Sequence, residues 1–109
     1  MIKVTVVRST EGRIGGFFVN GHANFGEHGK DIVCAGVSAI AYTAVGALNN
    51  IAGVGSYQED DGQMVCSIPD KLKRDIDIKA QVILESAVIG FRQIENAYKK
   101  YVIVNDKEV

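Results

Sequence analysis

Residues 21–40 read GHANFGEHGKDIVCAGVSAI, and the rest of the chain is organised around this stretch. It contains both histidines of the protein and one of its two cysteines. Residues 23–30 lack a clear period and contain glycines, which predicts a loop that can move. Asp31 is a good helix N-cap residue, and helical spacing follows it, so we predict a helix over about 32–50.

Alternating apolar and polar residues predict a hairpin on each side of this loop and helix. The first hairpin has strands 2–6 and 13–20 around a turn at 9–12. The second has strands 51–58 and 63–68 around an Asp-Gly turn. A second helix is predicted over 78–101 and a short edge strand over 101–105. Gly15 and Gly16 indicate a bulge or the close approach of another backbone.

These elements predict one α+β domain over residues 1–109, in the order ββαββα(β). We expect a mostly antiparallel sheet of four or five strands with two helices on one face. At 109 residues the chain is long enough to bury a hydrophobic core.

The composition is ordinary for a globular protein, with 47% apolar residues, 23% charged residues and a net charge of −1. No basic run is longer than Lys99-Lys100, so a nucleic-acid partner is not expected. No apolar run is expected to span a bilayer, and the first residues lack the apolar core of a signal peptide. Two cysteines without a CxxC pair predict reduced thiols, which is typical of a cytoplasmic protein.

Cys34 and His22 are the candidate catalytic residues. Cys34 lies in the first turn of the predicted helix, where free backbone N–H groups and the helix dipole favour a thiolate. His22 lies just after a predicted strand, on the other side of the loop, and a histidine near a thiol can act as its general base. On composition alone, a cysteine such as Cys34 is more often a small buried residue than a nucleophile, and a histidine such as His22 is more often a polar residue at a strand edge.

Four further residues are candidates for supporting roles. Ser38 lies one helical turn after Cys34 on the same face, where its hydroxyl can hydrogen-bond within the site. Asp31 is best explained as a plain helix cap, although a third catalytic role is also open to it. Gly26 and Gly29 are the predicted hinges of the loop, with simple turn positions as the alternative.

A metal site built from His22, His28, Cys34 and Cys66 is an alternative hypothesis. The short paired spacings of zinc modules are missing from the sequence, so neither a metal nor a cofactor is predicted. Cys66 lies in a predicted strand and is expected to be buried.

The motif residues closely resemble those of the ribosomal-processing cysteine proteases known as Prp. The matching residues are GHA at 21–23, glycines at 26 and 29, DIVCA at 31–35 and VS at 37–38. The resemblance extends over nearly the whole chain in length and element order, and such a pair of motifs is far more specific than a lone Cys and His.

The resemblance implies a cytoplasmic bacterial endopeptidase that removes a short N-terminal extension from a large-subunit ribosomal protein. It implies that Cys34 is the nucleophile and His22 the base, and that the loop orders over the bound peptide. It also implies a homodimer, a pocket partly lined by apolar side chains, and no cofactor or metal. A non-catalytic module that binds a ribosomal protein, and a redox-sensing or metal-binding thiol, are the competing functions.

Overall fold

The computed structural model describes residues 1–109, and its elements follow the predicted order of strands and helices. The strands are β1 (Ile2–Arg8), β2 (Ile14–Asn20), β3 (Ser56–Asp60), β4 (Gln63–Ser67) and β5 (Val102–Glu108). The helices are α1 (Ile32–Ala47), which continues as a π-helical segment (Leu48–Ala52), and α2 (Arg74–Ala97).

The five strands form one sheet in the order β3-β4-β2-β1-β5. Three of its four pairings are antiparallel, and β5 pairs with β1 in parallel. The mostly antiparallel α+β fold and the position of the last strand at a sheet edge are therefore confirmed.

Side-chain alternation along the strands separates the two faces of the sheet. Val4, Phe17 and Cys66 point into one core, which also contains the buried residues of both helices. Phe18 and Val65 point to the opposite face and are exposed. Both helices therefore cover the same face of the sheet, as predicted.

Gly16 lies where β2 meets two neighbouring strands. The pairing of β1 with β2 shifts register between Val7 and Arg8, beside this glycine. A Cβ atom on Gly16 would collide with the backbone carbonyl oxygen of Cys66 on β4. The predicted bulge and the close approach of another backbone are both confirmed.

Three predicted elements have other bounds in the structure. The last strand runs over 102–108 and not 101–105. Residues 51–52 belong to the helical segment, which ends at Gly53 with a left-handed φ of 68°, so β3 begins only at Ser56. Helix α2 spans 74–97 and not 78–101. Its polar first turn contains two acidic residues, which favour a helix N-terminus through the dipole but add nothing to the apolar periodicity.

The expectation that no apolar run could span a bilayer is also wrong, judged by length and composition alone. The helical segment from Ile32 to Ala52 has 21 residues, and an 18-residue stretch of it has a mean hydropathy of 1.7, enough to cross a membrane on those two criteria. In this fold the segment is a core helix, because Val33, Val37 and Leu48 are buried in the common core. A helix that packs in a core needs the same apolar composition.

Candidate active site

Asp31 begins helix α1 and fixes the loop before it. One carboxylate oxygen accepts hydrogen bonds from the backbone N–H groups of Val33 (2.9 Å) and Cys34 (3.1 Å). The other oxygen accepts from Phe25 (2.8 Å) and Gly26 (3.1 Å). The predicted N-cap is confirmed, and the same side chain joins the loop to the helix.

The Asp31 carboxylate is held in its charged form. Burial of this residue, which is 7% exposed, opposes ionisation, but the four backbone donors outweigh burial and lower the pKa of Asp31. A charged carboxylate at the start of a helix also interacts favourably with the helix dipole. Both oxygens are occupied by backbone donors.

Cys34 is half-buried in the first turn of α1. Its sulphur accepts a hydrogen bond from the backbone N–H of Ala23, at 3.4 Å. Ala23 directly follows His22 in the sequence and is itself buried. This hydrogen bond therefore links the backbone next to His22 to the side chain of Cys34.

His22 follows the end of β2 and is partly exposed. Its Nε2 atom lies 4.0 Å from a carboxylate oxygen of Asp61, in the turn between β3 and β4. Its ring also meets the ring of His28 edge to face, with centroids 5.5 Å apart. Groups from the loop and from the β3–β4 turn thus surround the imidazole.

One cavity of about 710 Å³ connects these residues. All six predicted site residues line it: His22, Gly26, Gly29, Asp31, Cys34 and Ser38. Positions distant in sequence, on the loop and on the exposed side of α1, therefore converge on one concave surface, which is the usual form of a ligand site.

The far wall of the cavity is formed by residues that the sequence analysis does not predict in the site. Tyr42, Glu59 and the turn residues Asp61 and Gly62 line it. The Tyr42 hydroxyl donates a hydrogen bond to Glu59, which raises the pKa of Tyr42. Tyr42 follows Ser38 at i+4 on the helix, a spacing that could have revealed it. The turn residues are brought to the cavity only by the pairing of β4 with β2, and no short stretch of sequence predicts that pairing.

The two predicted hinge glycines differ in their surroundings. Gly29 has a left-handed φ of 86° and no atom within 4 Å of a Cβ placed on it. The Gly26 N–H is instead bound to Asp31.

The aromatic residue of the loop, Phe25, packs away from the cavity. Its ring lies edge to face with Tyr98, at 5.5 Å between centroids, and with Tyr101, at 5.1 Å. These tyrosines lie just beyond the end of α2. Phe25 therefore attaches the first part of the loop to the body of the protein.

The alternative metal ligands, His22, His28, Cys34 and Cys66, do not form a cluster that could hold an ion. No group of three or more His, Cys, Asp or Glu side chains is placed to hold a metal. Cys66 is 2% exposed, and burial raises the pKa of its thiol to about 11. The predicted burial of Cys66 is confirmed.

Comparison with known proteins identifies relatives along nearly the whole chain. The family model described as Cysteine protease Prp matches residues 1–103. The ribosomal processing cysteine protease Prp of Bacillus subtilis is 39% identical over 102 residues, which cover 91% of each chain. The protein of that name from Staphylococcus aureus is 32% identical and covers 98% of this chain and 100% of its own.

Solved structures of the S. aureus protease are also similar. The complex of this ribosomal processing protease with a covalently linked product peptide aligns with a TM-score of 0.88 and 31% identity. Its complex with a substrate peptide aligns with a TM-score of 0.83 and 30% identity. Each alignment covers 98% of this chain and 100% of the other.

Proposed function

The chain belongs to the cysteine protease Prp family, and we propose that it removes a short N-terminal segment from a large-subunit ribosomal protein. It is a cysteine protease, as are its relatives, and those relatives are named for ribosomal processing. In this proposal Cys34 is the nucleophile and His22 is the general base. The alternative from the sequence, a non-catalytic binding module, does not account for membership of a protease family.

The main support for these two assignments is their geometry. His22 and Cys34 line one cavity. The sulphur of Cys34, in the first turn of α1, accepts a hydrogen bond from the backbone N–H of Ala23. An N–H donor and a helix N-terminus both stabilise negative charge on sulphur. Cys66, the other thiol, is buried outside the cavity.

The proposed reaction has two stages. His22 takes the thiol proton as the sulphur of Cys34 attacks the scissile carbonyl carbon, and a tetrahedral oxyanion forms. The C–N bond then breaks, and His22 gives its proton to the leaving amine. Water, deprotonated by His22, attacks the resulting thioester. The C–S bond breaks, the peptide acid leaves, and the proton held by His22 returns to the sulphur.

The other predicted residues have supporting roles in this scheme. Asp31 fixes the first turn of α1 and the loop, and so positions Cys34. Ser38 lies one turn further along α1 in the cavity wall, where its hydroxyl can bind the peptide or the oxyanion. Gly26 and Gly29 allow the loop to close over the bound peptide.

The substrate segment is expected to be partly apolar. Val19, Ala41 and Met64 line the same cavity as the polar residues, so one peptide can meet both kinds of surface. A ribosomal protein substrate and a reactive thiol that must stay reduced both fit a cytoplasmic enzyme. Neither nucleic acid nor a membrane has a part in this proposal.

We also propose that the protein is a homodimer formed through the surface between α1 and α2. An open apolar groove of about 410 Å³ lies there, with Ile40 on one side and Val82 and Ile83 on the other. Val82 is 62% exposed. An apolar helix pair can meet its own copy across a twofold axis, because such an interface is self-complementary.

Cleavage of a synthetic peptide that spans such an N-terminal extension tests the activity. Wild type should cut one bond, and Cys34→Ala and His22→Ala should reduce the rate by orders of magnitude while circular dichroism stays unchanged. The product masses identify the bond. If either variant cut at a near-normal rate, that assignment would be wrong. If wild type bound the peptide without cutting it, the proposed substrate would be wrong.

A further inference from the structure

The turn between β3 and β4 lies directly against the ring of His22. Gly62, in this turn, has a left-handed φ of 72°. A Cβ atom on Gly62 would lie 3.0 Å from Nε2 of His22 and 3.6 Å from two of its ring carbons. The imidazole therefore occupies the space that a side chain at position 62 would need.

The backbone on both sides of His22 is also held in place. The N–H of Gly21 donates to the carbonyl oxygen of Gly62, at 2.8 Å. The N–H of Ala23 donates to the sulphur of Cys34, at 3.4 Å. With its neighbours fixed, His22 can move mainly through its own side-chain torsions, and the turn limits those.

The charge of Asp61 at the turn also holds the ring of His22 in place. A carboxylate oxygen of Asp61 lies 4.0 Å from Nε2 of His22, close enough to attract a protonated ring. His28 meets the ring from the loop, and Cys34 lies in the same cavity on α1. Asp61 is 86% exposed, so water weakens its attraction, and steric contact with Gly62 is the stronger constraint.

We propose that the turn residues Asp61 and Gly62 position His22 for proton transfer. The backbone of Gly62 sets the orientation of the ring, and the carboxylate of Asp61 faces its Nε2 atom. Both are positioning residues, since they act through His22. The inference rests on the proposed function, in which His22 is the general base.

Gly62→Ala tests the steric part, with Gly53→Ala as a matched control. Gly53 has nearly the same backbone, with φ of 68°, but nothing lies within 4 Å of a Cβ placed on it. Both variants should lose similar thermal stability, because both place alanine in a left-handed conformation. Only Gly62→Ala should displace the ring, so its kcat for the peptide should fall roughly tenfold or more with KM little changed.

Asp61→Asn tests the electrostatic part. The substitution removes the negative charge beside Nε2 of His22, so kcat for the peptide should fall several-fold with KM little changed. Asp70→Asn makes the same change of charge on a surface outside the cavity and should leave kcat unchanged.

These measurements distinguish a failure of the proposed function from a failure of the positioning role of Asp61 and Gly62. Near-normal cleavage by His22→Ala would overturn the proposed function itself. If His22→Ala were inactive but Gly62→Ala and Gly53→Ala lost kcat equally, the positioning role of Gly62 would be wrong. If Asp61→Asn and Asp70→Asn had the same kcat, the role of Asp61 would be wrong.

Discussion

The carboxylate of Asp31 accepts a hydrogen bond from the backbone N–H of Phe25, at 2.8 Å, through the oxygen that does not cap helix α1. The start of the loop and the start of the helix are therefore held by one side chain. Substitutions at position 31 can separate the two functions, because a serine can cap a helix but is too short to hold the loop as well.

Asp31→Ser should keep much of the stability that Asp31→Ala loses, yet both should cut the peptide poorly. The serine hydroxyl can still accept from the first turn of the helix, whereas the N–H groups of Phe25 and Gly26 lose their acceptor. Thermal unfolding and peptide cleavage, measured on both variants, check this. A Ser variant with wild-type cleavage would show that the loop contact is unnecessary.

The lowered pKa of Asp31 predicts how stability changes in acid. The ionised carboxylate stabilises the folded protein fully above the pKa of the unfolded chain, about 3.9. The contribution is lost as the pH falls from there through the lower pKa of the folded state. The difference in Tm between wild type and Asp31→Ala should therefore be constant near neutral pH and shrink below about pH 4.

Alkylation of the folded protein should modify one thiol only. Cys34 lines the cavity, whereas Cys66 is buried and burial raises the pKa of its thiol to about 11. Iodoacetamide at neutral pH should add one label to wild type and to Cys66→Ala, and none to Cys34→Ala. Intact-protein mass spectrometry measures this, and denatured wild type, which should take two labels, is the control. Labelling of folded Cys34→Ala would contradict the prediction.

Phe25→Ala should lower activity more than stability. Phe25 is 43% exposed, so its loss should cost only about 1 kcal/mol of unfolding free energy, mostly from its contacts with Tyr98 and Tyr101. Without these contacts the first part of the loop is held by Asp31 alone, and residues 23–30 should exchange amide hydrogens faster.

Phe18→Ala is the matched control for this change. Phe18 is 40% exposed on the open face of the sheet, outside the cavity. It should show a similar small loss of stability with normal cleavage. Equal activity in the two variants would mean that the attachment of Phe25 has no role in catalysis.

Val82→Glu should convert the proposed dimer into monomers. The substitution places a charge on the apolar groove between α1 and α2, where association would bury it without a partner. Val65→Glu makes the same change on the open face of the sheet and should remain dimeric. Analytical ultracentrifugation distinguishes the outcomes, and a monomeric wild type would overturn the dimer.

Local chemistry explains which parts of the fold could be predicted. The N-cap at Asp31 and the Asp-Gly turn before β4 depend on neighbours in sequence, and both were found at their predicted positions. The apolar period predicts the start of α2 four residues too late, because the first turn of the helix is polar. The pattern at residues 51–52 predicts a strand, since a short apolar stretch fits a strand or a helix equally well.

The candidate site likewise has a part that local sequence predicts and a part that it does not. The six residues expected in the site all line the cavity, because they are close in sequence around one loop and one helix turn. For Asp61 and Gly62 the sequence predicts only a turn. Their place beside His22 depends on the register of β2 against β4, in which Asn20 pairs with Gln63, and no local pattern encodes that register.

The packing of Phe25 against Tyr98 and Tyr101 has a spectroscopic consequence. The protein has four tyrosines and no tryptophan, so its near-ultraviolet emission comes from tyrosine alone, undiminished by energy transfer to an indole. Two of the four touch the loop, and a third, Tyr42, lines the cavity. The intrinsic fluorescence of the unlabelled enzyme is therefore a direct optical signal for rearrangement of the loop, usable in stopped-flow mixing with a peptide that lacks tyrosine and tryptophan.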